Sequence, residues 1–322
     1  MTDKLPISLA ILFLLLAGCQ PAAEGSTPEV VVPPPPTETR FPPTTEPSPT
    51  ASETATASPE PLQVRFAVIG DYGLAGEPEA QVAAMIHGWN PDIIITTGDN
   101  NYPSGAAETI DENIGQYYHD FIYPYLGSYG EGAVENRFFP SMGNHEYYTE
   151  GAQPYLDYFS LPGNERYYDF TRGPVHFFAV NSDEHEPDGV RSTSVQALWL
   201  QERMSASASE WQVVYLHHAP YSSSSFHGST TWLRWDFAAW GADVVLAGHD
   251  HTYERLLVGA ISYFVVGTGG GALYGFGPPL PETQKQYNAD HGAMLVTATE
   301  TEMLFEFYNR AGELIDSYRV GK

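Results

Sequence analysis

The chain has 322 residues, room for one large domain or two small ones. Forty Asp and Glu against fourteen Lys and Arg leave a net charge of −26, a poor footprint for nucleic acid and no pull toward an anionic membrane surface. A single cysteine excludes an intrachain disulfide and the thiolate-rich zinc and iron–sulfur sites, so any metal must be held by His, Asp, Glu, Asn or Tyr.

The first four residues lead into an apolar run, Leu5–Ala17, too short to span a bilayer core of about 30 Å but right for the apolar part of a signal peptide. The run closes on Leu16-Ala17-Gly18-Cys19, and Cys19 is the chain's only cysteine. This resembles the lipobox of bacterial lipoproteins, which implies cleavage before Cys19 and its diacylation. Two acyl chains supply the anchoring that one cannot. Residues 20–62 carry twelve of the 26 prolines with many Thr, Ser and Glu. That composition buries too little apolar surface to offset chain entropy, so a disordered or extended tether is expected.

Residues 63–322 are expected to form the folded domain. Apolar runs stop repeatedly at polar residues: 64–73 at Asp71, 91–101 at Asp99, 138–146 at Asn144 and His145, 211–220 at His217, and 242–251 at His249, Asp250 and His251. A sixth run, 261–271, ends in Gly267-Thr268-Gly269-Gly270-Gly271. Continuous Val, Ile and Leu predict strands covered on both faces. Helical spacing recurs at Val82, Met85, Ile86 and Trp89, and again across 108–126 at Ile114, Tyr117, Tyr118, Phe121 and Ile122. Val195, Leu198, Leu200 and Met204 predict a third helix, and Trp232 to Trp240 a fourth. The stretch 292–309 alternates as an antiparallel pair does. Strands interleaved with helices indicate an α/β fold whose sheet is mixed. The glycine run lacks the Lys-Ser/Thr of a phosphate loop and predicts a close backbone approach instead. The serines at 222–225 have no nucleophile elbow around them.

Asp71, Asp99, Tyr102, Asn144, His145, His217, His249 and His251 cluster at the strand ends, where open α/β sheets bind ligands. Their oxygens and imidazoles suit hard or borderline cations such as Zn, Fe or Mn. The blocks Gly70–Gly73, Gly98–Tyr102, Gly143–Glu146, Val214–His217 and Gly248–His251 resemble, in order and spacing, the five blocks of the calcineurin-like metallophosphoesterases. Where most of that superfamily has His two residues after the first Asp, this chain has Gly73, and Tyr102 stands three residues after Asp99. That exchange resembles the purple acid phosphatases.

The resemblance implies a four-layer αββα sandwich with two mixed sheets. It implies a dinuclear centre, with Asp71, Asp99, Tyr102 and His251 on Fe(III), and Asp99, Asn144, His217 and His249 on a divalent Fe, Zn or Mn. It also implies hydrolysis of small phosphate monoesters, metal-bound hydroxide attacking phosphorus. His227 is the first candidate to protonate the leaving group and His218 the second. His145 is a candidate to contact phosphate or to pair with an acidic neighbour such as Glu146. His217 is favoured over His218 as ligand because Val214 lies three residues before it. The alternatives are a phosphodiesterase or nucleotidase of the same superfamily, or a lipoprotein that binds a ligand without turnover. The expected location is outside the cytoplasm, held to a bacterial membrane by the lipid alone, at the cell surface or the periplasmic face.

Overall fold

The computed structural model describes residues 62–322. The signal segment with Cys19, and the tether up to residue 61, lie outside the described residues. All six apolar runs form strands, and seven further strands join them. In chain order they are β1 (Gln63–Ile69), β2 (Ile93–Thr96), β3 (Phe138–Pro140), β4 (Tyr168–Arg172), β5 (Val175–Ala179), β6 (Trp211–His218), β7 (Val244–Gly248), β8 (Tyr253–Val258), β9 (Ile261–Val266), β10 (Thr283–Tyr287), β11 (Gly292–Thr299), β12 (Glu302–Asn309) and β13 (Leu314–Gly321).

They build two mixed sheets. One runs β13-β12-β11-β1-β2-β3, the other β10-β8-β9-β7-β6-β5-β4. In the first, β1, β2 and β3 are parallel and the C-terminal strands antiparallel. In the second, β5, β6, β7 and β9 are parallel and β4, β8 and β10 antiparallel to their neighbours. The period-two alternation of strands sorts the core into two layers. Phe66, Phe177, Val213, Tyr215, Val244 and Leu246 meet between the sheets, with Phe66 edge-on to Phe177 at 5.0 Å. Their neighbours Phe178, Val214, Leu216, Val245 and Ala247 face the other way, onto Ala197, Leu200 and Met204 of the helix Val195–Ser205. The helix Glu77–Trp89 covers the first sheet with Val82 and Ile86. This is the four-layer αββα arrangement. Among the described residues no helix is long and apolar enough to cross a membrane.

Three helical expectations change. The stretch predicted over 108–126 starts as a helix at Ala107, loosens into a π-helical turn at Asp111–Gly115, and ends in a tight turn at His119–Phe121. Tyr125 and Tyr158 direct their hydroxyls onto Asp111 Oδ1 at 2.6 and 2.9 Å, within that loosened turn. Trp232 to Trp240 is a single turn at Thr231–Leu233 and a separate one at Phe237–Trp240, the second capped by Asp236. In Val195–Ser205 the buried residues are Gln196, Ala197, Leu200 and Met204, whereas Val195 and Leu198 face solvent.

Candidate metal centre

Parallel strands bring their C-terminal ends to one edge, and the predicted ligands sit there. Asp71 follows β1, Asp99 follows β2, Asn144 follows β3, His217 lies at the end of β6 and His249 follows β7. Asp71, Asp99 and His249 hold φ of 55, 51 and 69°. Left-handed backbone is costly for a residue with a Cβ and persists where surrounding structure enforces it, commonly at functional sites. Part of that enforcement is visible: Asp71 accepts the His249 N–H at 3.0 and 3.1 Å, and Asp99 Oδ1 accepts the His145 N–H at 3.0 Å.

The side chains fall into two groups that share Asp99. In the first, Tyr102 Oη lies 3.1 Å from Asp99 Oδ2, 3.4 Å from Asp71 Oδ1 and 3.0 Å from His251 Nε2. His251 Nδ1 is turned to the Ala272 carbonyl at 2.7 Å, which leaves Nε2 facing the group. In the second, His217 Nε2 lies 3.1 Å from Asn144 Oδ1, 3.0 Å from His249 Nδ1 and 3.3 Å from Asp99 Oδ1. His217 Nδ1 is held by the Thr97 carbonyl at 2.8 Å. Asp99 therefore turns one oxygen to each group.

These donors fit a pair of cations. Atoms bound to one ion at about 2.1 Å sit about 3.0–3.4 Å from one another, and the separations above span that range. The set is mixed oxygen and nitrogen, borderline to hard. It also needs positive charge. Burial would lower the affinity of His217 for a proton, yet the charge and hydrogen bond of Asp99 reverse this and push its pKa up to about 10. Burial would raise Asp99, but His217 and His145 hold it well below the usual carboxylate range. Tyr102 is pushed well above an ordinary phenol by burial and by Asp71 and Asp99. Its oxygen would ionise here only beside a strong cation.

The other predicted residues surround this core. His227 stacks on His249 at 3.9 Å and is exposed. His218 packs on His249 at 4.3 Å, its Nδ1 is 2.9 Å from Ser182 Oγ, and burial together with His217 pushes its pKa down to about 3. His217, His218 and His249 lie close enough to share an ion, but only His217 also reaches Asp99 and Asn144. His145 Nδ1 is taken by the Pro103 carbonyl at 2.6 Å, and its Nε2 lies 3.8 Å from Asp99 Oδ2. The pairing considered between His145 and Glu146 is not what the structure shows. Glu146 is buried and turned inward, where it accepts the backbone N–H of Asn100, Asn101 and Gly143 at 2.8, 3.2 and 2.6 Å. It ties the loop after β2 to the loop after β3, a structural part that its place beside a predicted ligand did not reveal.

A family model described as calcineurin-like phosphoesterase matches residues 64–253. The chain belongs to the calcineurin-like phosphoesterases. It is thereby a metal-dependent phosphoester hydrolase by family. Purple acid phosphatase 17 of Arabidopsis thaliana is 24% identical over 80% of this chain and 85% of that protein. Tartrate-resistant acid phosphatase type 5 of Rattus norvegicus is 25% identical over 64% of this chain and 72% of that one. A purple acid phosphatase from yellow lupin seeds superposes with a TM-score of 0.68 at 19% identity, covering 80% of this chain but 54% of the lupin chain. The anchor protein GAP50 of the Plasmodium inner membrane complex superposes with 0.64 at 17% identity. Structures bearing an enzyme's name and an anchor's name thus share this fold, so the case for chemistry in this phosphoesterase rests on its side chains.

One such detail explains the missing histidine. A Cβ placed on Gly73 would stand 1.7 Å from the Asn100 carbonyl oxygen. No side chain fits there, and the Gly73 carbonyl holds the Tyr102 N–H at 2.7 Å. The glycine run plays the expected packing part: Gly269 and Gly271 donate to the carbonyls of Gly70 and Asp71 at 2.9 and 2.8 Å and brace the first ligand loop from below.

Proposed function

We propose that this phosphoesterase hydrolyses phosphate monoesters at a dinuclear centre. Asp71, Asp99, Tyr102 and His251 would hold Fe(III), and Asp99, Asn144, His217 and His249 a divalent Fe, Zn or Mn. The observation that carries the reading is the division of Asp99 between two donor groups, one containing a phenol and one an amide. Bound there, such a pair would offset phosphoryl charge and acidify water. The chain's own groups do the rest. His145, fixed through Nδ1 by the Pro103 carbonyl, presents Nε2 beside Asp99, in reach of a phosphoryl oxygen. His227 lines both the cleft over the donors and the larger cavity next to it, which suits it to hand a proton to the leaving oxygen. His218 lines only the cavity and is the weaker candidate.

Phosphate release from p-nitrophenyl phosphate and nitrophenol release from bis-p-nitrophenyl phosphate test the reaction class. The monoester is expected to turn over faster, and a large diester preference would overturn the monoesterase assignment. We also propose that the protein works outside the cytoplasm on a lipid anchor at Cys19, a reading supported by the apolar run and Leu16–Cys19. Labelled palmitate should enter the full chain and not its Cys19→Ser variant.

A further inference from the structure

Next to the donor groups lies a cavity of about 470 Å³ that shares Phe226, His227 and His249 with the cleft over them. Its far wall comes from the segment after β5, where Asp183 and Glu184 line it together with His185. That wall is built into the fold. The Gln196 side chain bonds the N–H and carbonyl of Asn181 at 2.8 and 2.9 Å and the Gly189 carbonyl at 3.0 Å, which pins both ends of the segment. Asn181 Nδ2 donates to Glu186 at 2.7 Å and Asn181 Oδ1 accepts the Asp183 N–H at 3.2 Å. Asp183 is 5% exposed, and its Oδ1 accepts the His185 N–H at 2.9 Å with His185 Nδ1 at 2.7 Å. No Lys or Arg lines this cavity among the described residues. Arg191 stands behind it, committed to Glu184 at 3.2 Å and to the Trp232 ring at 5.2 Å. Trp232 and Phe226 supply aromatic surface on the remaining wall.

We propose that this cavity is the leaving-group subsite and that Asp183 and Glu184 make it select alcohols bearing a positive charge, as in amino-alcohol phosphates, over those bearing a carboxylate or second phosphate. The inference rests on the monoesterase reading above. A second anion in the cavity meets two carboxylates and, among the described residues, no uncommitted Lys or Arg, whereas an alkylammonium gains their attraction and that of the aromatic faces.

The test uses metal-loaded protein and four esters: p-nitrophenyl phosphate as reference, then phosphoethanolamine, glycerol phosphate and 3-phosphoglycerate, which carry leaving groups of rising negative charge. The kcat/KM values are expected to fall in that order for the last three, about tenfold per charge. Glu184→Gln and Asp183→Asn should each compress the ratio of phosphoethanolamine to phosphoglycerate severalfold. Equal or inverted ratios alongside good release from p-nitrophenyl phosphate would overturn the charge selection and leave the monoesterase reading standing. No release from any ester would overturn both. A readout without turnover accompanies it: in metal-free protein, choline is expected to shift the Trp232 indole N–H resonance at lower concentration than glycerate, and the reverse order counts against the proposal.

Discussion

Asp99 and Glu79 are both buried carboxylates, 2% and 0% exposed, and they lead opposite lives. Asp99 is surrounded by donors: the His145 N–H, the Tyr102 hydroxyl and His217, which together hold it ionised against the cost of burial. Both oxygens of Glu79 are without a hydrogen-bond partner, and burial holds its carboxyl well above the usual range. The Leu74 N–H, which would favour its charge, is given to the Tyr72 carbonyl at 2.6 Å. Burial is common to both, so burial does not mark the functional acid. Convergence of opposed donors from distant loops does, because only an added cation or proton can hold so many acceptors together.

If that contrast is right, Asp99→Ala should be the most damaging change. Turnover of p-nitrophenyl phosphate should fall at least about a thousandfold and bound metal should drop from two ions per chain toward none, by elemental analysis. Retained activity would remove Asp99 from its shared position. Tyr102→Phe sharpens the difference between the two groups. It keeps the ring and deletes the one oxygen that touches Asp71, Asp99 and His251. With iron in place, the variant should lose the broad green-to-orange absorption of a tyrosinate–iron pair while the second ion stays. Activity is expected to fall about tenfold to a hundredfold, as the loss of an electrostatic partner does. His217→Ala and His218→Ala divide the two neighbours. The first should lose one ion and keep the coloured one, whereas the second should keep both ions.

The strand ends were readable because each ligand loop is short and follows an apolar run: the sequence Ile93–Thr96 then Gly98-Asp99 states both the strand and its stop. The antiparallel pair β11–β12 was equally plain in its alternation. What stayed hidden depends on pairs distant in sequence. Glu146 gives no local sign that it will accept three backbone N–H groups from two loops. The acidic wall at Asp183 and Glu184 is irregular chain, placed through Gln196 rather than through any period of its own. Val195 and Leu198 carry the right residue type on the solvent side, which helical spacing alone cannot distinguish. The left-handed backbone of Asp71, Asp99 and His249 is likewise imposed from outside, by residues far along the chain.

Glu79 supplies the smallest and most discriminating check, because it asks whether a partnerless acid costs stability without serving the site. Its folded-state pKa is raised, so the folded carboxyl stays protonated while the unfolded one ionises above about 4.5. The unfolded chain therefore gains relative stability as pH rises from there, and the folded protein should lose stability progressively from about pH 5 into the neutral range. Glu79→Met keeps an unbranched side chain of similar length in the helix Glu77–Trp89 and removes both unpaired oxygens. Replacing a buried unsatisfied polar group by an apolar one is expected to stabilise by about 1–3 kcal/mol, several degrees in Tm, with the gain larger at pH 8 than at pH 5. Turnover and metal content should not change. A destabilised variant with an unaltered pH profile would mean that Glu79 has partners in solution, and the contrast with Asp99 would then narrow to a difference in charge state alone.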